Sequence, residues 1–108
     1  MGFKRTTSKT FHADVEVNVA NDKGGYDKNT FVAIFSHATV PELDELRPKG
    51  NMAVIEQKLV GWIMVDEDTK ESVPFTPETL AAALLIPPTP MAIAFAFWET
   101  VNGARAKN

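Results

Sequence analysis

Residues 11–19 of this chain alternate without a break. Phe11, Ala13, Val15, Val17 and Val19 fall on one side of an extended backbone, and His12, Asp14, Glu16 and Asn18 on the other. Successive side chains of a strand point to opposite faces, so this pattern buries its apolar set on one side of a sheet. A helix would scatter the same residues around its circumference. The stretch "NDKGGYDKN" comes next, in which Gly24-Gly25 supplies the positive-φ positions of a tight hairpin. "TFVAIFSHATV" then reads as the return strand, apolar on both faces over residues 31–35.

The hairpin is better determined than its register. If Gly24-Gly25 is a two-residue turn, Val15 lies opposite Ile34 and Val17 opposite Val32. Phe31 and Phe35 then share a face with Asp14 and Glu16, whereas a slip of one residue reverses the faces. The same register sets His12 opposite His37, near Asp14, and a metal site can be drawn there. Two strand histidines without ligand-motif spacing are ordinarily surface residues, and no metal or cofactor is expected.

The remainder reads as helical. "VPELDELRP" predicts a short helix with Pro41 at the first position and Pro48 ending it. After Gly50-Asn51, the spacing of Met52, Ile55, Leu59, Trp62 and Ile63 by three and four predicts one face of a longer helix running through Gly61. "DEDTKES" is a solvated loop. Thr76 is then an N-cap, Pro77 the first helical residue, and Leu80, Leu84 and Leu85 the buried side, with Pro87-Pro88 as the stop. A last helix runs from near Pro90 to Gly103. Strands followed by helices imply an α+β domain, with three to four helices packed on a small antiparallel sheet at the N-terminus. Residues 1–108 are expected to form one domain, with residues 1–8 and 104–108 as flexible ends.

The last helix carries more apolar bulk than a surface helix needs. At about 100° per residue, Met91, Phe95 and Trp98 cluster on one side and Ile93, Phe97 and Val101 on another. Either the helix is sandwiched inside the domain, or its second face meets another chain. If Met91, Phe95 and Trp98 seal the core, then Ile93, Phe97 and Val101 are spare. Aromatic side chains dominate binding hot spots when exposed, although Trp62 and Trp98 serve first as core anchors. The candidate partner-binding residues are therefore Ile93, Phe97, Val101 and Trp98, with Phe31 and Phe35 of the second strand.

Composition narrows the function classes. The net charge is −3, with no basic run beyond Lys4-Arg5, so the positive stripe of a nucleic-acid binder is missing. Without cysteine there is no disulfide, thiolate nucleophile or cysteine-ligated zinc, a composition that fits a reducing cytosol. The longest apolar run, residues 91–98, falls far short of the ~20 that span a bilayer, and no apolar leader is visible in "MGFKRTTSKTF". Asp66, Glu67 and Asp68 have no nucleophile or base placed beside them. Ser8, Ser36 and Ser72 sit in no nucleophile-elbow context, and "NDKGGYD" does not lead into a phosphate-binding helix. A soluble, cytoplasmic, non-enzymatic protein is expected.

The second half of the chain resembles the small tail assembly chaperones of long-tailed bacteriophages and prophages. The resemblance lies in "LVGWIMVDED" and "VPFTPETLAAALLIPPTPMAIAFAFWETVNGARAKN". Val60, Gly61 and Trp62 precede an acidic turn, and Val73, Pro74, Phe75, Thr76, Glu78 and Leu80 open a helix. Leu84, Leu85 and Pro87 come next, with Gly103 and Lys107-Asn108 at the close. The resemblance implies a non-enzymatic factor in the cytoplasm of the bacterial host. Such proteins bind the tape measure protein before tube subunits polymerise around it, and are absent from the finished virion. Some also contact the tail tube protein, and many exist in a short and a frameshift-extended form. A structural tail component, such as a tube or terminator subunit, and a generic protein-interaction domain are the alternatives.

Overall fold

The computed structural model describes residues 9–103. The expectations of flexible ends at residues 1–8 and 104–108, and the placement of Ser8, lie outside the described residues. The architecture is α+β. Strand β1 spans Thr10–Ala20, β2 spans Tyr26–Ser36 and β3 spans Leu59–Ile63, in the sheet order β1-β2-β3 with both pairings antiparallel. Helices α1 (Val40–Leu46) and α2 (Asn51–Lys58) fill the connection between β2 and β3, and α3 (Pro77–Leu84) and α4 (Thr89–Val101) come after the sheet.

The alternating segment forms β1 as expected. Ala13, Val15 and Val17 are buried, while His12, Asp14, Glu16 and Asn18 remain on an exposed outer face. The register differs from the two-residue turn. Val15 pairs with Phe31, Ala13 with Ala33 and Phe11 with Phe35. The cause is Asn21, whose side-chain oxygen accepts hydrogen bonds from the Lys23 and Gly25 N–H groups at 3.0 and 3.1 Å. Its own N–H donates to the Gly25 carbonyl at 3.0 Å, so the loop is longer and only Gly24 takes a positive φ, at 84°. This register turns Phe31 and Phe35 inward beside Val15 and Ala13, not outward beside Asp14 and Glu16. It also separates the histidines. His12 faces Ile34, and His37 donates its backbone N–H to the Lys9 carbonyl and packs its ring, tilted, against Phe11 with centroids 4.8 Å apart.

The predicted long helix through Trp62 is two elements. Helix α2 stops at Lys58, and β3 begins at Leu59. A bulge makes Phe35 pair with Leu59 while Ile34 pairs with Gly61, leaving Val60 as the extra residue. The extra residue places Leu59 and Trp62 on the same inner face, and both are buried. A β-carbon on Gly61 would meet the Ile34 side chain at an ordinary 3.6 Å, so close approach does not demand glycine there. Trp62 then anchors the segment that leads into α3. Its indole N–H donates to the Val73 carbonyl at 2.9 Å, and its ring meets Phe75 edge-on at 4.9 Å.

The helix starts obey their caps. Thr39 caps α1 in a reciprocal box with Glu42, with Val40 rather than Pro41 as the first helical residue, and Pro48 lies in a 3-10 turn at Arg47–Lys49. Thr76 caps α3 in a box closed by Thr79, ahead of Pro77. Leu80 and Leu84 pack against the core from α3, whereas Leu85 is exposed. Helix α4 packs against β1 and α2, which puts the core of Val15, Phe35, Leu46, Val54, Ile55, Ile93 and Phe97 between sheet and helices. Among the described residues, no single helix is long and apolar enough to cross a membrane.

Candidate functional site

The proline-rich turn between α3 and α4 sets the geometry of the C-terminal helices. Pro87-Pro88 end α3, and the Leu85, Ile86 and Thr89 N–H groups donate to the Ala82, Ala83 and Ile86 carbonyls through the turn. The axes of α3 and α4 are consequently bent by 103°. Helix α4 then leaves the turn with Pro90 in its first turn, and its end is closed at Gly103, where φ is 77° and the N–H donates to the Thr100 carbonyl.

The two apolar clusters of α4 have opposite fates, and the reverse of the expected ones. Ile93 and Phe97 are 0% exposed and Val101 is half-buried against the core. Phe97 meets Phe35 edge to face at 5.1 Å and Phe11 at 5.8 Å. Ala94 and Ala96 are buried as well, because α4 lies between the sheet and α2. Met91 and Phe95, by contrast, are 63% and 59% exposed. The sandwich accounts for most of the surplus apolar arc, and a narrow apolar strip is left over at the surface.

That strip is the candidate functional surface. Met91 and Phe95 are one helical turn apart, and half-buried Trp98 continues the line. Trp98 is fixed from behind by Phe97 at 5.1 Å and covered by the Arg47 guanidinium, 4.6 Å from its ring centroid. The turn leading into the strip adds Leu85, which is 83% exposed, and Ile86. Single exposed apolar residues are ordinary, whereas large ones grouped on a single turn-and-helix segment make this the candidate among the exposed apolar positions.

Of the residues expected to meet a partner, Ile93, Phe97 and Phe35 are core, Val101 and Phe31 are half-buried, and Trp98 borders the exposed strip. Met91, Phe95 and Leu85, which the sequence reading does not place among the partner residues, are the exposed ones. The helical wheel separates the two clusters but carries no signal for which one turns inward.

The polar constellations stay apart. Asp66 turns its carboxylate onto its own loop, accepting from the Asp68 N–H at 2.8 Å and the Thr69 N–H at 3.0 Å. Those bonds, that from Thr69 foremost, hold its pKa below the usual aspartate range. Among the described residues, no three histidine, aspartate or glutamate side chains gather as a metal cage would require. Comparison of the chain with protein-family models, with curated proteins and with solved structures returns no match.

Proposed function

We propose that the chain is a non-enzymatic tail assembly chaperone, which holds a helical segment of the tape measure protein on the Met91 and Phe95 face of α4. The observation that carries this reading is the exposure of that face on a helix whose opposite side is fully committed to the core. An amphipathic helix lays its apolar stripe into such a surface, and side chains recurring every three to four residues are its usual contacts. Covering a side chain of this size gains about 1.5–3 kcal/mol, so Met91, Phe95 and Leu85 suffice for transient, reversible holding.

The motif residues fit the same reading. Trp62 and Phe75 brace the segment that precedes α3, Thr76 starts α3, and Leu84 with Pro87 turns the chain into α4. In this account they set the angle at which the apolar strip is presented. The protein acts in the bacterial cytoplasm and leaves before the virion matures.

Co-expression tests the proposal. The tape measure protein should stay soluble and co-purify with the chain, and should precipitate without it. Mass spectrometry of purified particles should lack the chain. Its presence there in stoichiometric amount would indicate a tube or terminator subunit instead.

A further inference from the structure

The outer half of the hairpin carries a second surface, apart from the Met91 and Phe95 strip. Strand β2 is paired with β1 along its whole length but with β3 only from Val32 to Phe35. The bonds at the two ends of the hairpin, His37 N–H to the Lys9 carbonyl and Asn21 N–H to the Gly25 carbonyl, both fall on odd-numbered pairs. In an antiparallel ladder hydrogen-bonded and non-bonded pairs alternate, so odd-numbered residues of β2 face β1 and even-numbered ones face away. Val32 and Ile34 direct those groups to Ile63 and Gly61 of β3. Lys28 and Thr30 direct theirs to a side where, among the described residues, no strand lies.

That open edge borders a groove of about 700 Å³, within the roughly 300–1,000 Å³ of ordinary binding clefts. Its walls include Val17, Val19 and Phe31 from the inner face of the hairpin and Ala82 and Ala83 of α3. The two alanines leave room for a backbone to approach. The third wall is the loop bearing Asp66, Glu67 and Asp68, with Lys70 as its one cation, since Lys28 is paired with Glu16 at 3.3 Å.

We infer that this edge and groove accept an extended peptide segment, apolar along one side and basic at its ends, as an added strand on β2. Unpaired backbone groups call for a strand rather than a helix. The apolar walls take alternate side chains, and the acidic loop complements the basic ends. A second copy of this chain fits poorly, because pairing through this edge brings two such acidic loops together.

The test uses the full chain and a synthetic peptide of about six residues, alternating valine and threonine between terminal lysines. Binding should protect the Lys28 and Thr30 amides from hydrogen exchange. Thr30→Pro removes the edge N–H without touching the β1 ladder, and Ala82→Trp, on an exposed position of α3, fills the groove. Each should weaken binding about tenfold or more, as should replacing the terminal lysines by glutamates. Failure to bind, protection elsewhere, or unchanged affinity in the variants would overturn the inference. So would a dimer of the free chain with those two amides already protected. If Thr30→Pro does not fold, Ala82→Trp decides.

Discussion

Phe35 of β2 and Phe97 of α4 meet edge to face with ring centroids 5.1 Å apart, and neither ring touches solvent. The contact ties the hairpin to the last helix. Phe97→Ala should therefore cost about 3–5 kcal/mol, most of the stability of a small domain. Phe95→Ala, one helical face away, should stay within about 0.5 kcal/mol. Denaturant unfolding of the two variants measures the contrast.

The hairpin was legible in sequence because alternation is a direct imprint of the pleat. Its register was not, because Asn21 rather than Gly24-Gly25 organises the turn. Strand β3 was concealed by its own bulge. The extra residue Val60 spaces Leu59 and Trp62 three apart, which on paper continues the helical series of Met52 and Ile55. The cap at Thr76 could be read at once, since proline beside threonine is a local signal, whereas Thr39, separated from Pro41 by Val40, is a cap that the sequence reading misses. The inward face of α4 is set by which side meets β1 and α2, a tertiary fact with no local signature.

The register makes a sharp spectroscopic prediction. Asp14 and Val32 form a non-hydrogen-bonded pair, in which the α-carbons approach to about 4.5 Å. A strong Hα–Hα contact should join them, and none should join Asp14 to Phe35. The amides of Ala13, Val15 and Val17 should exchange slowly, and those of His12 and Glu16, on the edge of β1 that no strand covers among the described residues, fast.

Acid should weaken the domain through two exposed carboxylates. The Thr39 N–H donates to Glu42 at 2.7 Å and the Thr39 hydroxyl at 3.1 Å, and these bonds, helped by Lys58, lower the Glu42 pKa. Asp66 is lowered by the Thr69 and Asp68 N–H groups. A pKa lowered on folding stabilises above the unfolded value, and that gain is lost as pH falls through the folded value. Glu42→Gln and Asp66→Asn should thus be less stable than the parent at neutral pH and converge with it in strong acid. Unfolding curves across that range are the check.

Thr100 buries its hydroxyl oxygen without a hydrogen-bond partner among the described residues. Valine has nearly the same shape and nothing to desolvate, so Thr100→Val should raise stability by about 1 kcal/mol. A higher melting temperature with an unchanged fold is the expected result.

The proposed chaperone role rests on the exposed strip of α4, and the paired substitution Met91→Glu, Phe95→Glu tests it most directly. Charges at these solvent-facing positions should leave the melting temperature of the isolated chain within a few degrees of the parent, since both residues lie outside the core. Buried against a partner they would be unpaired charges costing several kcal/mol, enough to abolish a micromolar complex. The measurement is the soluble fraction of co-expressed tape measure protein, taken together with the melting temperature of the variant alone. The account predicts loss of the soluble fraction with the melting temperature kept. Full solubilisation by a folded variant would contradict it.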